Sequence, residues 1–114
     1  MKSVILVADY EVAKDDVTLT VVVGDAQIGS SIVKLGTKVL GQGDIDGLAI
    51  GSGPKIKHKR LFVKTVVTDV NDNTNHTSVT YQLAGGRLDQ EFACAGTVEE
   101  NGDSIIYRAK FNLV

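Results

Sequence analysis

The chain has 114 residues, of which 43% are hydrophobic, and a formal net charge of −2 at pH 7. This length suits one domain covering 1–114, and the composition excludes a disordered chain, which combines low hydrophobicity with a high net charge. The charge balance provides no overall attraction to nucleic acid or to a membrane surface. No apolar run reaches the roughly 20 residues that span a bilayer.

The chain as given carries no secretory signal. Its first apolar run, from Val4 to Ala8, is shorter than the roughly 7 to 15 residues of a signal's apolar region. The compartment stays open between the cytoplasm and export of a protein given without its signal.

The first quarter of the chain predicts two strands separated by a polar turn. Apolar and polar residues alternate with a period of two, which is typical of strands that have one buried face. Val22 interrupts the alternation, which favours a second strand near the centre of its sheet or covered on both faces. The apolar positions are Val4, Leu6, Ala8, Tyr10 and Val12, followed by Val17, Leu19, Val21 and Val23.

The segment 24–53 is rich in glycine, with eight of the 12 glycines of the chain. Short strands with glycine bends or bulges are expected here. A helix over 31–40 is the alternative, but Gly36 would cost it about 1 kcal/mol relative to alanine. Pro54 predicts a loop after this segment.

Two hairpins are predicted in the second half of the chain. Residues 60–70 and 77–83 are rich in β-branched and aromatic side chains, and they flank 71–76, which has no apolar side chain. Asn and Asp favour turns, so these two strands are expected to pair with each other. The strands 92–98 and 105–113 are expected to pair in the same way across an Asn-Gly-Asp turn.

The pattern as a whole comprises seven to nine short strands and no convincing helix. It predicts an all-β fold, an antiparallel β-sandwich with an immunoglobulin-like architecture. The alternative is a small β-barrel.

The residues with catalytic potential form no recognisable set. Cys94 is the only cysteine, which excludes an intramolecular disulfide, and its apolar neighbours predict a buried, unreactive thiol. Neither His58 nor His76 belongs to a nucleophile motif. The sequence therefore predicts no enzyme, and we assign no catalytic, cofactor-binding or metal-binding residues.

One loop resembles part of a known family. Residues 69–73 (DVNDN) resemble the DxNDN motif of cadherin repeats, and 88–91 (LDQE) are similar to the cadherin LDRE element, with Gln90 where arginine is usual. The resemblance implies calcium, whose oxygen ligands such a loop could supply. In cadherins a proline and a new repeat follow the motif, whereas Thr74 and a predicted strand follow here.

The strongest local charge is the run 55–60 (KIKHKR). It favours a solvated strand or a guarded sheet edge over binding to a polyanion, because it is short and lacks aromatic residues.

We therefore expect a soluble, non-enzymatic interaction or structural module whose contacts come from the loops 71–76 and 41–53. The expected partner is a protein or a second copy of the chain, through edge strands. Nucleic acid and a membrane span are not expected, and a small molecule is disfavoured. The alternatives are a calcium-binding adhesion-type domain using 69–75 and a small-ligand-binding β-barrel.

Overall fold

Two β-sheets packed face to face build the protein. The computed structural model describes residues 2–114. The elements are β1 (Lys2–Tyr10), β2 (Asp16–Val23), β3 (Ile28–Leu35), β4 (Lys38–Gly43), β5 (Leu48–Ser52), α1 (Gly53–Ile56), β6 (Arg60–Thr68), β7 (His76–Ala84), β8 (Gln90–Thr97) and β9 (Ser104–Leu113). Sheet I has the strand order β1-β9-β6-β3-β4, and sheet II has the order β5-β2-β7-β8.

All strand pairs are antiparallel except one. β1 pairs with β9 in parallel, in a continuous register from Lys2 beside Ile105 to Tyr10 beside Leu113. Each sheet keeps two edges, which are β1 and β4 in sheet I and β5 and β8 in sheet II. The predicted antiparallel-dominated sandwich is therefore confirmed, and the alternative of a closed small barrel is wrong.

The core lies between the sheets and is lined by the inward residues of each strand. Alternation places the apolar side chains of β6, β7 and β9 inside, because successive residues point to opposite faces of a sheet. Tyr81 of β7 meets Phe111 of β9 edge to face, with ring centroids 5.7 Å apart. Burying each such side chain stabilises the fold by roughly 1.5–3 kcal/mol.

Both predicted hairpins are wrong. β6 pairs with β3 and β9 in sheet I, whereas β7 pairs with β2 and β8 in sheet II. The polar loop 69–75 therefore carries the chain from one sheet to the other. The loop between β8 and β9 makes the same crossing. The turn residues correctly indicate that the chain reverses direction. The alternation of apolar and polar residues does not identify the partner of a strand, however, because any neighbouring strand that packs on the same core is compatible with it.

The glycine-rich segment forms strands, as expected. β3, β4 and β5 occupy it, and no helix forms over 31–40. Gly36 has a φ of 59° in the turn between β3 and β4, a conformation that glycine adopts without steric cost. Pro54 lies in the four-residue α1 where a loop was expected. β2 lies between β5 and β7, at the central position that Val22 indicated.

Candidate functional site

The outer face of sheet I gathers basic side chains from three adjacent strands. In β6 and β9, exposed and half-buried residues alternate with buried ones, so every second side chain points outward. We call the outward side chains of β3, β6 and β9 the basic face. Its cations are Lys34, Arg60, Lys64, Arg108 and Lys110, and its larger apolar members are Ile28, Ile32, Phe62, Val66 and Ile106.

The strand register sets the cations side by side. Lys34 and Lys110 flank Phe62 from the two neighbouring strands, and Lys64 lies directly beside Arg108. Neighbouring strands are about 4.8 Å apart, and like charges at opposed positions destabilise a sheet. The arrangement is therefore unfavourable for the isolated chain, and an anionic partner would relieve it.

Within residues 2–114, no carboxylate forms an ion pair with a cation of the basic face, although Asp9 of the neighbouring β1 borders the face and accepts a hydrogen bond from Asn112 Nδ2, at 3.0 Å. The ion pairs of residues 2–114 are Arg87 with Glu11, at 3.2 Å, and His76 with Asp25, at 3.9 Å, and neither involves the face. The face carries five of the 12 lysine and arginine residues of the chain and none of its 14 aspartate and glutamate residues. The rest of the protein therefore has a surplus of seven negative charges.

A shallow depression lies in the middle of the basic face. Its volume is about 330 Å³, and Phe62, 38% exposed, forms part of its wall. An exposed aromatic ring among arginine and lysine side chains provides apolar contact area together with charge, a combination found in protein interfaces. The lining residues are Ile32, Lys34, Phe62, Lys64 and Arg108.

The outer face of sheet II has a different chemistry. We call it the threonine face, since Thr18, Thr20, Thr80 and Thr97 point outward on β2, β7 and β8 among small residues. His76 begins β7, and the remaining outward residues of β7 and β8 include one charged side chain, Glu91. This face offers hydrogen-bonding hydroxyls and methyl groups but almost no charge.

The loop 69–75, which contains most of the predicted contact surface 71–76, is held tightly from inside. Gln27, 8% exposed, accepts hydrogen bonds at Oε1 from the backbone N–H groups of Val70, at 2.7 Å, and Asn71, at 3.0 Å. Its Nε2 donates to the backbone carbonyl of His76, at 3.1 Å. One buried glutamine thus clamps both ends of the loop.

The oxygens of the cadherin-like motif serve the turn itself. Asp69 Oδ1 accepts from Asn71 N at 3.2 Å, and Asn71 Oδ1 accepts from Asn73 N at 3.0 Å. Asp69 is 1% exposed, and its Oδ2 has no hydrogen-bond partner. Within 2–114, no group of three or more His, Cys, Asp or Glu side chains is placed to hold a metal ion. The geometry matches the use of Asn and Asp in turns.

The remaining residues singled out in the sequence lie apart from one another. Cys94 points inward from β8 and is half-buried, and burial raises the pKa of its thiol. The His76 imidazole lies near the Asp25 carboxylate, while His58 follows α1. Among the described residues, neither imidazole hydrogen-bonds to a hydroxyl or thiol. Within residues 2–114, the structure brings no nucleophile and base together.

The basic run 55–60 does not guard a sheet edge. It spans α1, the following turn and the first residue of β6, and β6 is an inner strand of sheet I. Its lysines are exposed, as the alternative of a solvated strand expected, but they lie outside the strands, so the strand itself is wrong. Arg60 alone belongs to the basic face. The second predicted loop surface, 41–53, is largely taken up by the end of β4 and by β5.

Sequence reasoning missed the basic face as a unit. The signal was present in the polar positions of β9, where Arg108 and Lys110 alternate with buried residues. The pairing of β9 with β6, and of β6 with β3, brings the cations of distant segments together.

Comparison with known proteins adds no relative. No family model matches the chain, and no curated protein and no solved structure is significantly similar to it. Within residues 2–114, no helix is long and apolar enough to cross a membrane.

Proposed function

We propose that the protein is a non-enzymatic interaction module that binds an acidic protein partner on its basic face. The observation that carries this proposal is the set of five cations, without a carboxylate or an ion pair among them, around the exposed ring of Phe62. Unpaired like charges at opposed sheet positions cost stability, so a partner that neutralises them gains that energy on binding.

The chemistry of the face favours a protein over nucleic acid. Single-stranded nucleic acid binds to grooves in which several aromatic rings stack on successive bases, and Phe62 is the only aromatic residue of this face. The seven surplus negative charges elsewhere on the chain would also repel a long polyanion. A protein partner with a compact acidic surface and apolar side chains can contact both the cations and the exposed apolar residues of the face, such as Ile32.

The mode of binding differs from that of antibody-type domains. In those domains the loops at one end of the sandwich form the binding site, whereas here the proposed site is a sheet face. The immunoglobulin-like architecture is part of this proposal, supported by the two packed sheets of mostly antiparallel strands.

The test is a titration of the ¹⁵N-labelled protein, followed by NMR, with a short synthetic peptide rich in Glu and containing leucine. We expect the shifted amide signals to map to β3, β6 and β9, and the affinity to fall as salt is added. The matched control is the same peptide with Lys in place of Glu, which should cause no shifts in β3, β6 and β9.

Three results would contradict the proposal. Shifts confined to the loops 71–76 and 41–53 would return the binding site to the sandwich ends. Equal shifts with the Lys peptide would show that charge is not recognised. Tighter binding of a single-stranded oligodeoxynucleotide than of the Glu peptide would assign the face to nucleic acid.

A further inference from the structure

Among the four edge strands, β1 is the longest and exposes the largest apolar side chains in its middle, whereas β8, the other edge with an unbroken register, presents the small Ala93 and Ala95 beside Glu91. Edge strands expose unpaired backbone N–H and C=O groups, and proteins usually guard them with bulges, glycine, proline, charge or short length. β4 has six residues with two glycines, and the register of its pairing with β3 shifts at Val33 and Lys34. β5 has five residues and a shifted register with β2.

β1 has none of these guards in its middle. It has nine residues, contains neither glycine nor proline, and pairs with β9 without interruption. Its charged residues, Lys2 and Asp9, lie near its two ends. Between them, Ile5 is 72% exposed and Val7 is 59% exposed on the outer side.

The geometry points to a second copy of the same chain as the occupant of this edge. We propose that β1 pairs antiparallel with β1 of another copy about a two-fold axis at Leu6. This register sets Ile5 opposite Val7 of the second copy, twice by symmetry, and sets Ser3 opposite Asp9. It opposes no like charges, and the cross-strand apolar pairs are of the kind that stabilises antiparallel sheets.

The resulting assembly is closed at this edge. Each copy uses its β1 edge once, so the two five-stranded sheets merge into one sheet of ten strands. The edges that remain in this sheet belong to β4, which carries the shifted register and Lys38. Pairing through β1 therefore predicts a dimer and no longer polymer.

Repulsion between the two basic faces does not forbid this dimer. The two β9 strands would be separated by three strand spacings, about 14 Å. The Debye length at physiological salt is about 8 Å, so the repulsion is largely screened. Added salt should strengthen the dimer slightly, whereas it should weaken binding of an acidic partner. The two proposals can therefore fail independently.

The experiment is light scattering coupled to size exclusion over a series of protein concentrations. We expect a mass that rises towards twice the 12.1 kDa of the chain and then stays constant. Hydrogen exchange provides a second readout, because alternate amides of β1 should become protected as the concentration rises. A mass that stays at one chain, or that grows beyond two, would overturn the proposal.

A charge-swap pair of variants tests the register. Ile5→Glu with Val7→Glu places carboxylates beside Arg108 and Lys110 of the same chain, so the monomer stays folded. In the dimer these carboxylates would oppose each other, and we expect dimerisation to weaken at least about tenfold. Ile5→Lys with Val7→Lys adds cations beside Arg108 and Lys110, so circular dichroism first establishes that this variant is folded. The folded variant should be a monomer too, and mixing the two variants should restore a dimer of one copy of each.

Matched controls separate this edge from other surfaces. Ile28→Glu changes an equally exposed residue on the inner strand β3, and Val39→Glu changes the opposite edge strand β4. Both should dimerise as the unmodified chain does. Loss of the dimer in Val39→Glu, or failure of the charge-swapped pair to form a mixed dimer, would show that β1 is not the interface.

Discussion

The two outer faces of the sandwich share one core yet differ in chemistry. The basic face carries five unpaired cations around Phe62, and the threonine face carries mainly small hydroxyl and methyl groups, with Asp16, His76 and Glu91 as its ionisable members. Both faces rest on strands with the same inward alternation of apolar residues. The contrast teaches that folding constrains the inward positions, whereas the outward positions are left to other requirements.

Stability alone would not produce this segregation. A sheet gains stability when opposite charges face each other across neighbouring strands, and it loses stability when like charges do. The chain has 14 carboxylates available, yet none lies on the basic face. This cost is the physical reason to attribute binding to the basic face and not to the threonine face.

The largest expected effect concerns the clamp that joins the two sheets at the loop 69–75. Gln27→Ala removes the bonds to the part-buried backbone groups of Val70, Asn71 and His76, while Asn71 N–H keeps its bond to Asp69 Oδ1. We expect a loss of about 3 kcal/mol in the free energy of unfolding. Urea denaturation measures it, with the exposed Gln42→Ala as control. A loss below about 1 kcal/mol would show that the loop is held by other contacts.

Charge reversal tests the contrast between the faces directly. Lys64→Glu with Arg108→Glu should weaken binding of the Glu-rich peptide about 30-fold, since two attractions become repulsions worth about 2 kcal/mol together. Thr20→Glu with Thr80→Glu makes the matched change on the threonine face and should alter the affinity less than twofold. Calorimetric titration measures both. Equal losses of affinity for the two double variants would mean that the peptide responds to the net charge of the protein and not to the basic face.

Two buried tyrosines offer a smaller and more selective comparison. Tyr107 lies 2.6 Å from Thr77 Oγ1, and since that hydroxyl donates to Gly96 O, Tyr107 donates to it across the two sheets. The Tyr81 hydroxyl is buried without a partner. We expect Tyr107→Phe to cost about 1 kcal/mol and Tyr81→Phe to cost nothing or to stabilise slightly. Thermal denaturation of both variants measures these costs. A larger loss of stability for Tyr81→Phe than for Tyr107→Phe would contradict the assignment.

The buried tyrosines also make the free energy of unfolding fall at alkaline pH. Burial raises the pKa of Tyr10, Tyr81 and Tyr107 above the ordinary value for tyrosine. The unfolded chain therefore loses these protons first, so the contribution to stability is complete below about pH 10 and is lost as the pH rises through the folded pKa values. Denaturation at a series of alkaline pH values should show this fall, and Tyr81→Phe should make it shallower. A flat profile would contradict the burial.

The smallest expected effect is that of calcium. Asp69 Oδ1 and Asn71 Oδ1 already accept bonds within their turn, and Asp69 Oδ2, which has no hydrogen-bond partner, is a single buried oxygen where calcium takes roughly six to eight. Adding calcium should therefore leave the melting temperature unchanged, and a chelator should do the same. A rise that chelation reverses, and that Asp69→Asn abolishes, would restore the calcium-binding alternative for 69–75.

The fold class was predictable because it depends on local pattern. Alternation in segments such as 105–113 and the polar loops between strands report burial and chain reversal, both of which are properties of neighbouring residues. Strand partners were not predictable. The strands before and after 69–75 pair with β3, β9, β2 and β8 instead of with each other, and no local signal distinguishes a hairpin turn from a loop that crosses between sheets.

The sequence by itself determined the all-β class, the alternating core positions and the apolar neighbours of Cys94, because each follows from the order of apolar and polar residues. The tertiary structure decided which strands are neighbours. It thereby set which side chains lie together on the face to which binding is proposed. Lys34, Lys64 and Arg108 are distant in the chain and become adjacent only through the pairing of β3, β6 and β9. The free edge of β1 likewise exists only because β9 pairs with its other side.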